Sequence, residues 1–373
     1  MVSPGRISFR SGPQIDKVLL TCSVAIAIFG IVNLYSATSV YIEAGKRSGL
    51  ADIYVSQVYW IVVGGLLAIL AAAIDYRHLE RLAYFFYFGG LVALMLVFVL
   101  ATDIRGSSRW IQVGNFNFQP SEFIKILLIV VLAKCLHNDP RTEPRRWVDL
   151  ALPLGLTAIP AALVMAQPDL GTAMIYVLTA ATIIAMVRIR GSSLFWGAAI
   201  GGTVISSSWK WVLRDYQKAR ITSFLDPEHD VTGTGWHALQ SRTAIGNGGL
   251  TGSGFMSGTQ NQFGFLPDQF SDFPFAVFAE DWGLLGCTLL LGAYCFLCIW
   301  SIHVASQAKD RFGAALAIGV GAMIFWHAFF NMGMAMGVLP VVGITLPLFS
   351  YGGSSVLTVM VGLGLLMNVS MRR

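Results

Sequence analysis

"FLPDQFSDFPFAVFAEDWGLLGCTLLLGAYCFLCIW", residues 265–300, decides how this chain is read. From Phe273 to Trp300 its only charged residues are Glu280 and Asp281. That run is long enough for a bilayer, which takes roughly 20 residues at 1.5 Å each. Asp268 and Asp272 stand just ahead of it. What such acids do at and inside an apolar helix depends on where the membrane lies.

Working outward, the rest of the chain repeats the pattern. Of 373 residues, 55% are hydrophobic and 12% charged, too little polar surface to cover a soluble core. Apolar runs lie near 18–37, 55–74, 82–101, 122–137, 149–167, 170–187, 193–212, 273–300, 311–336 and 353–371. They predict an all-α polytopic membrane protein with about ten transmembrane helices in one domain over 1–373. The run at 122–137 is short and carries Glu122 and Lys125. The first run follows Arg6, Arg10 and Lys17 and exceeds a signal-peptide core, so it reads as a retained span. The net charge of +5 fits span-flanking residues that set topology, with no nucleic-acid partner. All five cysteines lie in or beside apolar runs, and Cys295-x-x-Cys298 has no His or acid at ligand spacing, so they read as small buried hydrophobes.

Lys and Arg give the orientation. With the N-terminus cytoplasmic, Arg77, Arg81, Lys134, Arg141, Arg145, Arg146, Arg188, Arg190, Lys309, Arg311, Arg372 and Arg373 fall on the inner face. Both termini are then cytoplasmic. The long loop between spans 7 and 8, about 213–272, is extracytoplasmic, as is the start of the eighth span with Asp272. Loops of that length are usually functional.

Four non-apolar stretches gather on the outer face. In 105–125, Gln119-Pro120-Ser121 reads as a helix start. Glu122 and Lys125 then share a face of its first turn. They are either a self-satisfying ion pair or a cation oriented toward a polyanionic substrate. Arg109 beside Trp110 is an interfacial pair and a candidate phosphate contact. In 167–173, Asp169 is either a cap or a site residue. Within the loop, "LDPEHD" (225–230) is an acidic turn, and a short amphipathic helix is expected over about 236–245. A glycine cluster, Gly246 to Gly258, follows; with no preceding strand and no GK[ST], it suits close backbone approach to headgroups or a sugar rather than a nucleotide loop. Arg242 and Gln260 are candidate substrate contacts. In 337–355, Ser354 and Ser355 start the last span, either as caps or as part of an anion-binding helix start.

Asp272 falls at or just before the N-cap of the eighth helix. Glu280 and Asp281 lie roughly 12–14 Å deeper, where an unpaired charge costs at least ~2.5 kcal/mol. They are functional acids or paired structural groups. Residue types and spacing alone give an outward-facing polar, cationic site with acids at its rim. That suits a pyrophosphate-linked lipid and does not separate enzyme from transporter.

Six stretches carry a resemblance: "RWIQVGNFNFQPSEFIKI" (109–126), "QPDLGTA" (167–173), "AIGNGGLTGSGFMSGTQNQFGFLP" (244–267), "DFPFAVFAEDWGLLG" (272–286), "LPVVGITLPLFSYGGSS" (339–355) and the loop "DYQKARITSFLDPEHDVTGTGWHALQS" (215–241). In order and spacing the chain resembles the SEDS family (shape, elongation, division and sporulation proteins), the loop favouring the RodA branch over FtsW. The resemblance implies a peptidoglycan glycosyltransferase of the cytoplasmic (inner) membrane, with its active site on the extracytoplasmic face. It would polymerise lipid II, the undecaprenyl-pyrophosphate-linked disaccharide peptide, onto a growing glycan strand during cell elongation and rod-shape determination. It also implies a class B penicillin-binding protein transpeptidase as partner, among membrane lipids. The family's essential aspartate falls on Asp272, and the acid and lysine of its fourth span on Glu122 and Lys125. The family commonly has His-Thr before that aspartate and Glu-Glu deeper; here Phe270-Ser271 and Glu280-Asp281 stand there. The implied chemistry makes Asp272 a general base for inverting transfer, puts Lys125 and Arg109 near the pyrophosphate, and has Glu122 position Lys125. No cofactor is specified; a divalent metal is admitted, and no motif specifies one. A lipid II flippase and a non-catalytic scaffold of the wall-synthesis complex are the alternatives.

Overall fold

A computed structural model of the chain describes residues 14–43, 52–104, 107–114, 116–139, 141, 143–211, 213, 215–227, 230, 233–266 and 268–373. The chain runs α1 (Lys17–Glu43), α2 (Ile53–Ala73), α3 (Tyr76–Arg81), α4 (Ala83–Leu100), β1 (Thr102–Ile104), β2 (Ser107–Val113), β3 (Phe116–Phe118) and α5 (Pro120–Asn138). A 3₁₀ turn (Trp147–Leu150) leads into α6 (Ala151–Ala166), then come α7 (Leu170–Ile184), α8 (Gly191–Trp211), α9 (Asp215–Leu225), α10 (Thr234–Gly248), α11 (Thr259–Gln262), α12 (Pro274–Ser306), α13 (Arg311–Ala335) and α14 (Gly353–Met371).

A helix occupies every stretch where the apolar runs predicted a span. Seven segments among the described residues are long and apolar enough to cross a membrane: α1, α2, α4, α6 with its 3₁₀ turn, α12, α13 and α14. The helix α7 is apolar but shorter, and α5 carries Glu122, Lys125 and Lys134. The protein is a mostly helical, multi-pass membrane protein. Local chemistry sets the helix starts. Pro120 and Pro274 occupy the first turns of α5 and α12, where the missing N–H costs nothing. Asp169 and Asp310 cap α7 and α13 by accepting from the backbone N–H of Thr172 and Gly313.

Two expectations need correcting. The chain is not purely α: β1, β2 and β3 form a small antiparallel sheet between α4 and α5. The β-favouring Trp110, Ile111, Val113, Phe116 and Phe118 fill its strands, and Gly114 at φ 62° makes the β2–β3 turn. The helix expected over about 236–245 in the long loop is α10, joined there by α9 and α11, and it packs on α12 and α13. Cys295, expected inside, is exposed on α12.

At the centre lies α13, packed against α12, α5, α7 and α14, while α14 packs along α2. The start of α1 and the end of α14 meet at one end of the bundle. There Asp16 accepts from Ser370 at 2.6 Å and Trp300 at 3.0 Å and pairs with Arg373 at 3.6 Å. At the opposite end lie the sheet, the α9–α11 segment, the start of α12 and the 337–352 segment.

Candidate active site

At that opposite end is a cavity of ≈ 670 Å³. It brings together Asp272, Glu122, Lys125, Arg109, Asp169, Ser354 and Ser355, all singled out from the sequence. Arg242, Gln260, Glu280 and Asp281 are not among its lining residues.

The floor is an ion pair inside protein. Lys125 is 3% and Glu122 7% exposed, so neither charge is screened by bulk water. The Lys125 Nζ lies 2.7 Å from Glu122 Oε1 and 2.9 Å from His327 Nε2. The other ring nitrogen of His327, Nδ1, lies 3.0 Å from the carbonyl oxygen of Thr345. A carbonyl only accepts, so Nδ1 carries the hydrogen and the Nε2 lone pair accepts from the ammonium. Glu122 and neutral His327 thus take two of the three ammonium donors. The second oxygen of Glu122, Oε2, is buried with no hydrogen-bond partner among the described residues. His327 was missed from the sequence. Its signal was a lone histidine inside an apolar span, where an ionisable group marks a site by default.

One wall comes from β2 and the α6–α7 turn. Arg109 Nε donates to the carbonyl of Gln167 at 3.0 Å, Nη2 donates to that of Pro168, and Nη1 lies 3.4 Å from Asp169 Oδ2. Asp169 also receives the Thr172 hydroxyl at 3.0 Å while capping α7, so cap and cavity residue are one. The Arg109 guanidinium is thereby held along the cavity wall by two carbonyls and a carboxylate, a geometry lysine cannot copy.

The opposite wall is the segment between α13 and α14. Ser354 Oγ receives the Gln119 N–H at 3.1 Å and donates to Asn117 O at 3.3 Å, tying α14 to β3 and α5. Ser355 and Thr345 share a hydroxyl–hydroxyl bond of 2.8 Å. Both serines therefore line the cavity while holding its wall.

Asp272 is half-buried at the mouth, one residue ahead of the cap position, which Phe273 takes. Asn331 of α13 fixes it, donating to Asp272 O at 2.9 Å and to Ile344 O at 2.7 Å. A β-carbon on Gly343, at φ 75°, would lie 3.6 Å from Asp272 Oδ2, so the carboxylate sits against bare backbone.

The lining is not the cationic pocket expected. Glu122, Asp169, Asp268 and Asp272 face Arg109 and Lys125, so carboxylates outnumber cations. Among the described residues, no group of three or more His, Cys, Asp or Glu could hold a metal ion. These residues therefore do not make an all-protein metal site.

The remaining candidates have structural surroundings. Glu280 Oε1 receives the Gln260 N–H at 2.9 Å and Thr259 Oγ1 at 3.3 Å, and Oε2 receives the Asn261 N–H at 3.3 Å. Asp281 Oδ2 receives the Ser36 hydroxyl. The glycine cluster packs not on a headgroup or sugar but into a break in α12 at Gly283 (φ 62°, ψ −163°). Gln260 is bonded there through its backbone, and exposed Arg242 lies against Gly337. In the acidic turn, Asp230 is held below the usual carboxylate range by the Ser223 hydroxyl and the Gly235 N–H.

Residues 16–373 match the family model FtsW–RodA–SpoVE, described as cell cycle protein. The chain is 33% identical to peptidoglycan glycosyltransferase MrdB of Escherichia coli K12 over 371 residues, covering 100% of this chain and 97% of that one. It is 34% identical to the probable peptidoglycan glycosyltransferase FtsW of Geobacter metallireducens over 372 residues, covering 98% and 97%. A solved structure described as "Structural coordination of polymerization and crosslinking by a peptidoglycan synthase complex" superimposes with a TM-score of 0.81 at 33% identity, covering 95% of this chain and 97% of that one. With the family matched from the start of α1 to the last residue, the chain belongs to the FtsW–RodA–SpoVE cell cycle proteins, the SEDS family its motifs resemble.

Proposed function

We propose that this cavity is where lipid II is polymerised: the chain is a peptidoglycan glycosyltransferase, the activity its relatives are named for, and Asp272 is its general base. The observation that carries this is the meeting of Asp272, the Lys125–Glu122 pair and Arg109 around one cavity. The acceptor sugar's 4-hydroxyl oxygen attacks the donor's anomeric carbon from the face opposite the pyrophosphate. The new C–O bond forms as the old one breaks, its electron pair leaving on the phosphate oxygen, with inversion. Asp272 takes the hydroxyl proton as attack proceeds. The third N–H of Lys125 and the guanidinium of Arg109 stabilise the departing charge. Glu122 and His327 hold Lys125 in place. A divalent cation carried in on the substrate's own phosphates would offset the carboxylate excess of the lining.

The cavity end is extracytoplasmic, because the opposite end carries the Lys and Arg that mark a cytoplasmic face. Ten spans with both termini inside follow, α5, α7 and α8 crossing among the rest. Packing of α5 on α13, α4, α7 and α14 supports this, since its charges then avoid lipid. The membrane is the cytoplasmic one and the role is cell elongation. The partner is a class B penicillin-binding protein that crosslinks the strand, as the matched structure's description of a polymerising and crosslinking complex suggests.

A flippase would need a polar path through the midplane. Beyond Lys125, α5 presents Ile129, Val130, Val131 and Leu132, and α13 presents Val320, Met323 and Ile324, all buried and apolar. That argues for chemistry at one face.

The test is polymerisation of lipid II by the purified chain with its transpeptidase partner. Asp272→Asn and Asp272→Ala should each lower the rate by about 10²–10⁴. Equal polymer from wild type and both variants would sink the assignment of the base. No polymer from any of them, where a control polymerase works, would favour transport or scaffolding.

A further inference from the structure

At the other end of the bundle lies a second pocket of ≈ 430 Å³, which the glycosyl-transfer chemistry does not use. Arg141, Arg145, Arg188 and Arg311 line it, with Glu143 the one lining carboxylate. Its floor is apolar, from Leu136 at the end of α5, Val187 after α7 and Ala314 of α13.

The arginines are not equivalent. Arg145 is buried and pairs with Asp139 at 3.2 Å. Its backbone bonds to Arg188 O and Arg190 N fix the two chain segments beside each other. Arg141 is neutralised by Asp139 and Asp149. Arg311 gives one N–H to a neutral acceptor, the Asp139 carbonyl, at 3.1 Å. Exposed Arg188 makes no ion pair among the described residues. With Glu143 set against one of these last two, one positive charge remains above an apolar floor.

We propose that this pocket binds the headgroup of a monoanionic phospholipid. A phosphodiester carries the one negative charge that matches, and its two free oxygens suit a guanidinium fork. The acyl chain continues over Leu136, Val187 and Ala314, which a soluble phosphate would leave bare. Basic pockets between transmembrane helices at the cytoplasmic side have this chemistry. Setting topology needs only positive charge near helix ends; it needs neither a cavity nor arginines gathered over apolar side chains.

The experiment is native mass spectrometry of the delipidated full-length chain titrated with dioleoyl phosphatidylglycerol or dioleoyl phosphatidylcholine. Its readout is lipid retention, independent of glycan synthesis. Wild type should retain the phosphatidylglycerol at lower concentration. Each arginine near an anionic headgroup is worth about fivefold, so Arg188→Ala with Arg311→Gln should weaken phosphatidylglycerol on the order of 25-fold and leave phosphatidylcholine unchanged. Arg188→Ala alone, which breaks no ion pair, should lose about fivefold if the double variant does not fold. Unchanged phosphatidylglycerol retention, or equal loss of both lipids, overturns the proposal. So does displacement of the lipid by an equal concentration of glycerol 1-phosphate, which assigns a soluble phosphate, or of poly-glutamate, which assigns an acidic protein.

Discussion

Replacing Glu122 with Gln leaves the Lys125 ammonium buried with its hydrogen bonds but without its counter-charge. Lys125 is 3% exposed, and its other partner, His327, offers only the Nε2 lone pair at 2.9 Å and no counter-charge, since its ring hydrogen is on Nδ1 toward Thr345 O at 3.0 Å. Breaking a buried pair from one side costs about 3–5 kcal/mol. The glutamine oxygen still accepts and the cavity admits water, so the cost falls near ~3 kcal/mol, a drop in Tm on the order of 5 °C. Adding Lys125→Met removes the stranded charge. It leaves His327 Nε2 as an orphan acceptor, which costs about 1 kcal/mol, so the double variant should regain roughly 2 kcal/mol over Glu122→Gln. Activity should not follow stability. Both variants should polymerise lipid II slowly, the double variant by at least about 10²-fold, because the cation facing the pyrophosphate is gone. Tm would be read by differential scanning fluorimetry in detergent and rate by glycan-chain gel. A double variant that regains both stability and rate makes the pair a structural bond. A single variant with unchanged Tm means that the cavity solvates Lys125, and the argument from burial fails.

Arg109→Lys cannot reproduce the fork onto the carbonyls of Gln167 and Pro168, so KM for lipid II should rise roughly tenfold with Tm nearly unchanged; an unaltered KM removes Arg109 from pyrophosphate binding. Chelation by EDTA should slow polymerisation, and added Mg²⁺ or Mn²⁺ should restore it, since carboxylates outnumber cations around the cavity; full activity in EDTA would leave Lys125 and Arg109 to meet the pyrophosphate alone. Gly283→Ala places a β-carbon against the backbone of Gly252 and Gly248 at φ 62° and should cost on the order of 1–3 kcal/mol. Gly65→Ala, with nothing within 4 Å of the new carbon, should be neutral or stabilising; equal effects at the two glycines would refute the close-approach account.

Span positions were readable because a membrane helix writes itself as an uninterrupted apolar run, and cap chemistry in QPSE and QPDL marked where α5 and α7 begin. Asp272, Glu122, Lys125, Arg109, Asp169, Ser354 and Ser355, which line one cavity, could be singled out because polar residues beside apolar runs stand out in the sequence. Periodicity could not supply depth of contact. The partner of Lys125 is His327, 202 residues away on α13, and nothing local to either residue announces the pair. The sheet was missed because strands of three to seven residues in an aromatic, glycine-containing stretch have no run long enough to show a period of two. Cap and site were also posed as alternatives, whereas Asp169 spends one set of lone pairs on Thr172 and still faces Arg109.

Glu280 and Asp281 follow from the break in α12. Leaving helical geometry at Gly283 frees backbone groups on both sides, which inside a membrane protein must be satisfied by protein. Upstream, the carbonyls of Glu280 and Asp281 receive the N–H groups of Ser253 at 2.9 Å and Gly254 at 3.2 Å. Downstream, Leu284 and Leu285 donate to Gly249 at 2.9 Å and Leu250 at 3.1 Å. Glycines are needed because a side chain at 248 or 252 would strike α12 backbone. Glu280 then gathers the N–H groups of Gln260 and Asn261, and Asp281 the hydroxyl of Ser36. Acid pair and glycine cluster are thus one socket, and Glu280 makes hydrogen bonds that an apolar residue could not replace. Asp272 stands just ahead of the same helix and lines the cavity instead, and Asn331 fixes its position through its backbone carbonyl. The socket braces the loop, and the base proposed for the transfer step lies outside it.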